Sequence, residues 1–214
     1  ISLTKKLQDD ETLAALDIKV MLLKYPDEVR KAFGKKQYHD EIDYIVTNDA
    51  RNNLIKNLAI DQEGNKLVLF QLVDKHGKVL FDLIRNAAHE RRKVFFVSGE
   101  TETSDREAIR KIVEKQKNSI IVASLGTFST GINIRNLHNI IFSSPSKSRI
   151  RNLQSIGRGL RLGDNKVNAT LYDISDDVSY GEKENYTLQH FRERINIYNE
   201  ENFDYEIHNV ELKE

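Results

Sequence analysis

The sequence predicts an α/β protein in which a parallel β-sheet is covered by helices on both faces. Short apolar runs alternate along most of the chain with longer stretches in which apolar residues recur every three or four positions. The first pattern is typical of strands and the second of amphipathic helices. Strands that are apolar throughout are buried on both faces, as in a parallel sheet whose crossovers are helical.

The predicted strands are apolar runs bounded by turn-forming residues. They span 17–25, which Pro26 ends, then 67–73, 94–97, 119–123, 139–142, 169–174 and 205–210. The predicted helices span 38–45, 78–89, 150–161 and 186–199, with one more that Thr47 and Asn48 cap and one from Ser104 to Gln116. The polar stretches 31–37 and 176–184 are predicted loops. In a sheet of this kind, ligands bind beyond the carboxyl ends of the strands.

Composition excludes several classes of protein. The 214 residues include 33 basic and 33 acidic side chains, so any nucleic-acid contact must come from a local patch. There is no cysteine and the six histidines are scattered, so we expect neither disulfides nor a metal site. No apolar run reaches the roughly 18 residues of a membrane span, and the first residues are not a signal peptide. We therefore expect a cytoplasmic protein without a membrane partner.

The first residue is Ile1 rather than methionine, so we expect an internal fragment of a longer protein. Residues 1–37 do not read as a complete unit, and we predict that they are a linker and strand segment from a preceding domain. Residues 38–214 are predicted to form the domain itself, which is long enough to bury a sizeable core.

The stretch from Leu153 to Leu162 has the clearest chemical character in the chain. Arg158 and Arg161 are three residues apart and share one face of a helix, with Gln154 one turn earlier. Gly157 lets a ligand approach the backbone closely. Two guanidinium groups on one face suit phosphate oxygens. However, the chain has no Gly-x-x-x-x-Gly-Lys-Ser/Thr sequence, so it cannot hold the phosphates of ATP through a P-loop.

Other candidate motifs have plainer alternatives. The stretch 124–133 is rich in hydroxyls and glycine, which suits phosphate or ribose contacts or an ordinary capped β-to-α connection. The stretch 143–151 is either a basic patch or a capped helix start. The acidic run 40–43 is predicted to be a solvated helix face rather than a magnesium-binding box. Glycines at 157, 159 and 163 approximate a dinucleotide fingerprint, but a helix rather than a strand leads into them, which disfavours a Rossmann-type enzyme.

The ordered motifs resemble the second RecA-like domain of superfamily 2 helicases. The stretch 154–161 matches motif VI of that family, Gln-x-x-Gly-Arg-x-x-Arg. The stretch 124–133, which ends in Gly131-Ile132-Asn133, resembles motif V, and the strand 67–73 takes the place of motif IV. Further stretches that are similar to phage recombination helicases of this superfamily are 23–28, 81–84, 97–100, 128–131 and 197–201.

The resemblance implies a RecA-like fold and a site shared between two domains. ATP and Mg²⁺ would be held mainly by an N-terminal RecA-like domain that carries the P-loop and an acidic box. Arg158 and Arg161 would reach the γ-phosphate as arginine fingers, and Gln154 would lie near the phosphates or the attacking water. Residues expected beside the nucleotide are Gly131, Asn133 and Gly157, although many relatives have Asp at the position of Asn133.

The resemblance also implies nucleic-acid contacts and an activity. Ser98, Gly99, Arg106 and Ser124 would hold the sugar-phosphate backbone of one strand, without reading its sequence. The intact protein would be a monomeric, ATP-dependent DNA or RNA–DNA helicase that remodels branched DNA and R-loops, and the fragment alone would be inactive. It would work in the host cytoplasm if a phage encodes it. The alternative is a non-catalytic RecA-like module that binds nucleic acid or docks a partner.

Overall fold

The computed structural model describes residues 16–34, 36–129, 134, 136–145 and 169–213. The strands within these ranges are β1 (Leu16–Lys24), β2 (Asn65–Phe70), β3 (Val94–Val97), β4 (Ile120–Ser124), β5 (Leu137–Phe142), β6 (Ala169–Asp177) and β7 (Tyr205–Glu211). The helices are α1 (Asp27–Phe33), α2 (Tyr38–Thr47), α3 (Asp49–Asp61), α4 (Lys78–Ala87), α5 (Thr103–Glu114), α6 (Leu125–Ser129) and α7 (Tyr186–Glu200). A π-helical turn spans Val73–Gly77, between β2 and α4.

The strands form one seven-stranded sheet in the order β3-β4-β2-β5-β6-β1-β7. Every pair of neighbouring strands is parallel. The predicted parallel sheet is therefore confirmed. All carboxyl ends of the strands meet at one edge, which we call the carboxyl edge.

Apolar side chains of the central strands alternate between two cores, one on each face of the sheet. Leu67 and Leu69 of β2 point into the first core, which α7 covers with Leu188 and Phe191. Val68 and Phe70 point into the second core, against side chains of α2, α3 and α4 that include Ile45, Ile55 and Ile84. Because β2 is buried along its whole length, its apolar residues 67–70 follow one another without alternating with polar ones.

Strand β1 lies inside the sheet, between β6 and β7. Its nine residues pair with Ala169–Asp177 on one side, and residues 18–24 pair with 205–211 on the other. A division after residue 37 therefore does not follow a packing boundary, because residues 16–24 supply an interior strand of this sheet. The preceding domain itself stays a prediction.

Several predicted boundaries are wrong for local reasons. Strand β2 ends at Phe70 rather than at residue 73, because the chain turns into the π turn, where Gly77 N–H donates to the Leu72 carbonyl oxygen (2.9 Å). A Cβ at Gly77 would lie 2.5 Å from the Phe70 ring, so only glycine fits there.

Helix α1 ends at Phe33, so residues 31–33 of the predicted loop 31–37 are helical. Helix α5 begins at Thr103 without a side-chain cap, so Ser104 is not its cap. The predicted cap at Asn48 is confirmed, since its side chain accepts from Arg51 N–H.

Strand β6 continues to Asp177, into the predicted loop 176–184, and carries two buried carboxylates on opposite faces. Asp176 binds Arg51 of α3 through both oxygens (2.8 and 3.0 Å), and its Oδ1 also accepts from the Tyr25 hydroxyl (2.7 Å). Asp173 accepts from Arg194 of α7 (2.8 Å) and from the Tyr198 hydroxyl (2.7 Å). Burial, followed by the adjacent carboxylate, raises the pKa of Tyr25 and of Tyr198 well above the ordinary value. Each ion pair ties a helix to the same strand.

The acidic run 40–43 differs from a solvated helix face at one position. Glu41 is buried, and its carboxylate accepts from the backbone N–H groups of Thr187 (2.7 Å) and Tyr186 (3.2 Å) at the start of α7. Burial raises the pKa of Glu41, and these hydrogen bonds act in the opposite direction. The solvated interpretation is therefore wrong for Glu41, which caps a helix that begins far away in the sequence.

Candidate nucleic-acid interface

Three of the four residues predicted to bind nucleic acid, Ser98, Gly99 and Ser124, lie at the carboxyl edge, at the ends of two neighbouring strands. Strands β3 and β4 pair in parallel, with Val97 opposite Ala123. Ser98 follows directly after β3, and Ser124 is the last residue of β4. The parallel register therefore brings Ser98 and Ser124 to adjacent positions.

The turn after β3, residues 98–101, is held by its own hydroxyl groups. The Ser98 hydroxyl accepts from Glu100 N–H (3.3 Å), and the Thr101 hydroxyl accepts from Ser98 N–H (3.0 Å). Gly99 is exposed at the tip, and a Cβ added there would meet no atom within 4 Å. The backbone at this tip is therefore exposed and has no neighbouring atom close to its Cα.

Arg106 of α5 lies across the same turn. Its Nε donates to the Thr101 carbonyl oxygen (2.8 Å), and its Nη2 donates to the carbonyl oxygens of Gly99 (3.0 Å) and Ser98 (3.4 Å). The side chain is partly buried, so its position is fixed by the turn. Arg106 thus brings a positive charge to the carboxyl edge and shapes the turn that carries Ser98 and Gly99.

Ser124 has a local partner. Its buried hydroxyl lies 2.6 Å from the Thr127 hydroxyl and accepts from Thr127 N–H (3.3 Å), which caps the short helix α6. The plainer interpretation of this stretch, a capped β-to-α connection, therefore holds for the Ser124 hydroxyl.

The other predicted site residues lie outside the described part of the chain. They are Gln154, Gly157, Arg158 and Arg161 of the arginine stretch, and Gly131 and Asn133 of the preceding one. Residues 143–145, which precede the arginine stretch in the sequence, are held at the carboxyl edge by two contacts. Arg51 Nη1 donates to the Ser143 carbonyl oxygen (2.8 Å), and a ring nitrogen of His190 lies 3.3 Å from the Pro145 carbonyl oxygen.

One buried polar residue at the carboxyl edge, His76, was not among the residues predicted from the sequence. His76 is buried in the π turn, and neither of its ring nitrogens has a hydrogen-bond partner in the structure as described. Burial, and then the nearby positive charge of Arg51, lower the pKa of His76 from 6.5 to about 3. The imidazole is therefore neutral at physiological pH. Nothing in the sequence distinguishes this histidine from an exposed one.

Lowering the pH from 7 to 5 is expected to reduce the free energy of unfolding by about 2 kcal/mol through His76 alone. The unfolded imidazole takes up a proton near its ordinary pKa of 6.5, whereas the folded one does so only at about 3. The contribution is therefore fully present above pH 6.5 and is lost as the pH falls toward 3. Urea unfolding of the wild type and of His76→Gln at both pH values measures it.

The control for this measurement is His208→Gln, since His208 is half-exposed beside Glu206 on β7. We expect His76→Gln to lose part of the wild-type pH dependence, and the control shows what replacing a histidine outside the core does to it. Identical pH dependence in the wild type and in His76→Gln would show that the His76 imidazole is not held neutral.

Within the described ranges, no helix is long and apolar enough to span a bilayer. Over the same residues, no three His, Asp or Glu side chains are grouped closely enough to hold a metal ion.

Known proteins show clear similarity to this chain. Residues 49–163 match the family described as Helicase conserved C-terminal domain. The ATP-dependent DNA helicase uvsW of Enterobacteria phage T4 is 39% identical over 222 residues, which cover 98% of this chain and 43% of that protein. The chain thus spans less than half the length of this relative.

Solved structures agree with the fold. The crystal structure of T4 UvsW superposes with a TM-score of 0.80 at 38% identity, and the match covers 92% of this chain and 42% of that one. The restriction-modification enzyme LlaBIII bound to DNA gives 0.61 at 13% identity, over 99% of this chain and 16% of that one. Domain 2 of the DEAD-box helicase Mss116p, bound to an RNA duplex, gives 0.52 at 14% identity over 92% and 65%. The last two show the fold alone.

The RecA-like fold that the motifs predict is confirmed by these structures. The family model covers more than half of the sequence, and similarity to the T4 helicase extends along nearly the whole chain. The chain therefore belongs to the helicase conserved C-terminal domain family and is related to the T4 helicase UvsW.

Proposed function

We propose that this chain is the C-terminal motor domain of an ATP-dependent helicase that acts on DNA or RNA–DNA hybrids. The observation that carries the proposal is the arginine pair of motif VI in a chain without a P-loop sequence. Arginines that bind phosphate without a P-loop are one half of a site, because the other half must hold the nucleotide. The similarity to a protein named as an ATP-dependent DNA helicase supports this interpretation.

In the proposed mechanism, an N-terminal RecA-like domain of the same protein holds ATP and Mg²⁺, and this domain closes over them. Arg158 and Arg161 stabilise the charge that spreads over the γ-phosphate as it is transferred, and Gln154 lies beside the phosphates or the attacking water. Gly157 lets the backbone approach the phosphates. Gly131 and Asn133 lie near the ribose.

The nucleic-acid strand crosses the carboxyl edge at the ends of β3 and β4. The exposed turn at Ser98 and Gly99 offers an open backbone, and Arg106 offers the positive charge beside it. Ser124 approaches the strand with its backbone, because its hydroxyl caps α6. Contacts of this kind bind sugar and phosphate and read no sequence. Opening and closing of the cleft between the domains then moves the strand relative to the protein.

The finer proposal is that the intact protein works as a monomer and remodels branched DNA and R-loops. Its support is the similarity along the chain to the T4 helicase. The domain begins, in this proposal, with the strand β1 and is preceded by the domain that holds ATP.

Arg106→Ala is expected to weaken binding of single-stranded DNA and to reduce the slope of log Kd against log salt by about one. The reason is the loss of one phosphate contact together with the support of the turn at Ser98. Fluorescence anisotropy with a labelled oligothymidine over a range of salt concentrations measures both quantities.

Arg110→Ala is the matched control, because Arg110 lies one turn further along α5 and pairs with Glu107 and with Glu114 (2.9 Å). We expect this variant to keep the wild-type salt slope. A salt slope in Arg106→Ala equal to that of Arg110→Ala would remove Arg106 from the interface.

A further inference from the structure

Two segments at the amino edge of the sheet, opposite the carboxyl edge, carry a group of basic side chains. Residues 88–93 lead into β3, and residues 115–119 lead into β4. Together they contain one acidic residue, Glu90, and five basic ones, which are Arg91, Arg92, Lys93, Lys115 and Lys117. Because the whole chain has no net charge, this group is a local excess of positive charge.

The two segments are held against each other by hydrogen bonds. Ile120 N–H donates to the Lys93 carbonyl oxygen (2.9 Å). Arg92 donates through Nε to the Asn118 carbonyl oxygen (2.9 Å) and through Nη2 to the Asn118 side-chain oxygen (2.8 Å). Its Nη1 donates to the carbonyl oxygen of Ile60 in the last turn of α3 (2.8 Å). Arg92 therefore serves the structure itself, and it fixes the backbone that carries the other basic residues.

Helix ends explain only one of the remaining four cations. Lys115 follows α5 directly, where a positive charge is favourable at the carboxyl end of a helix. This effect falls off within the last turn, and Arg91, Lys93 and Lys117 lie beyond the last turns of α4 and α5. The positive charge of these three residues has no explanation in a helix end.

Arg91, Lys93 and Lys117 are exposed, and among the residues that the structure describes none of their side chains forms an ion pair or a hydrogen bond. Exposed cations elsewhere differ from them, since Lys78 pairs with Asp74 and Arg192 pairs with Glu184. The three amino-edge cations are therefore available to an anion from outside.

The buried Lys66 reports the positive charge at this edge. It lies at the start of β2, and its Nζ donates to the Asn118 side-chain oxygen (3.2 Å). Burial, followed by the charge of Arg92, lowers the pKa of Lys66 to about 7, although Asp61 and Glu63 act in the opposite direction. An anion at the amino edge would be attracted by the same charge of Arg92 that repels a second cation.

The composition of the two segments favours a duplex as the partner. Neither 88–93 nor 115–119 contains an aromatic residue. Proteins that hold single strands combine positive charge with aromatic rings on which the bases stack. A DNA duplex instead presents its phosphates on the outside, with about one negative charge per 1.7 Å of its axis. Exposed cations on a fixed backbone, without stacking rings, suit the phosphates of a duplex.

The amino edge is separate from the proposed path of the single strand. Strand β4 has five residues, and a strand rises by about 3.3 Å per residue. The amino edge and Ser124 are therefore about 15 Å apart, at opposite ends of β4. Nucleic acid bound at the two edges belongs to two different segments of the substrate.

We propose that Arg91, Lys93 and Lys117 form a second nucleic-acid contact, which binds the phosphate backbone of a duplex segment. The proposal rests on the proposed function and narrows its substrate class to nucleic acids that have both a single-stranded and a duplex part. Contacts of this kind to phosphate read no sequence.

The test compares the amino-edge variant Arg91→Ala/Lys93→Ala/Lys117→Ala with the control variant Lys24→Ala/Lys36→Ala/Lys213→Ala. The control removes the same number of positive charges from other exposed positions. Fluorescence anisotropy with a labelled blunt-ended DNA duplex and with labelled oligothymidine, over a range of salt concentrations, measures affinity and salt slope.

We expect the amino-edge variant to bind the duplex about tenfold more weakly and to lower the slope of log Kd against log salt by about two to three. Its affinity for oligothymidine should stay at the wild-type value, because charges more than about 10 Å away are largely screened at 0.1 M salt. The control variant should bind both probes like the wild type.

The two probes separate this proposal from the proposed function. Equal salt slopes of the two triple variants on the duplex would overturn the amino-edge contact, as would a wild type that binds oligothymidine but no duplex. An equal loss on both probes would overturn the assignment to a separate segment. A wild type that binds the duplex through the amino edge but does not bind oligothymidine would contradict the proposed strand path alone.

Discussion

Arg51→Ala is expected to lower the free energy of unfolding by about 3–5 kcal/mol. The guanidinium is fully buried and makes two hydrogen bonds to Asp176 and one to the Ser143 carbonyl oxygen. Its removal leaves the Asp176 carboxylate in the interior, where the Tyr25 hydroxyl is its remaining side-chain partner among the residues that the structure describes. A buried charge without its counter-ion is among the most destabilising changes that a single substitution can make. Equilibrium unfolding in urea at pH 7 measures the loss.

Lys75→Ala provides the matched control for a surface ion pair. Lys75 pairs with Asp43 at 2.9 Å, but the two side chains are 57% and 48% exposed, so we expect a loss below about 1 kcal/mol. The double variant Arg51→Met/Asp176→Leu removes both charges and should recover much of the stability lost in Arg51→Ala. Equal losses in Arg51→Ala and Lys75→Ala would show that the Arg51–Asp176 pair is not desolvated.

Arg158→Ala and Arg161→Ala are each expected to reduce DNA-stimulated ATP hydrolysis about 10³-fold or more, in a protein that contains both this chain and the P-loop domain. An arginine finger acts on charge that develops only in the transition state, so turnover falls while binding of single-stranded DNA stays nearly unchanged. A coupled assay of ATP hydrolysis and anisotropy with labelled DNA measure the two effects separately.

Arg85→Ala is the control for these variants, because Arg85 is an exposed arginine on α4 that lies near Asp82. We expect it to hydrolyse ATP at the wild-type rate. Wild-type turnover in both Arg158→Ala and Arg161→Ala would exclude the arginine-finger role, and a loss of DNA binding equal to the loss of turnover would move the arginines to the nucleic-acid interface.

The sheet could be predicted because its strands have a strong local signal. The strand Val94–Val97 is an unbroken apolar run between Lys93 and Ser98, and its observed bounds equal the predicted ones. The same rule fails at the end of β2, where Leu72 and Val73 continue the apolar run but belong to a turn. There the close packing of Gly77 on Phe70 decides the path, and such a contact has no local pattern.

Buried charges could not be predicted, because their partners are distant in the sequence. Arg51 and Asp176 are 125 positions apart, and Glu41 and Thr187 are 146 apart. Within its own segment each charged side chain resembles a solvated one, so the sequence predicts a polar loop at Asp176 and a solvated face at Glu41. Only the packing of the helices on the sheet shows that these groups are paired.

The candidate site could be predicted in part. Ser98 and Ser124 come together at the carboxyl edge because each follows a strand of a parallel sheet, which the alternation of elements indicates. The hydrogen bonds of Arg106 to the turn at Gly99 depend on the direction of one side chain and carry no sequence signal. The burial of His76 depends on how separate segments pack, so it is visible only in the structure.

ATP turnover by the 214-residue chain alone, measured with and without single-stranded DNA, decides whether this domain is one half of a shared ATPase site. We expect no measurable hydrolysis from the chain alone, because it has no P-loop sequence. Joined to the P-loop domain of its own protein, the same chain should hydrolyse ATP in a DNA-stimulated manner. Robust turnover by the pure chain alone would contradict the proposal that its arginines act on ATP held by another domain.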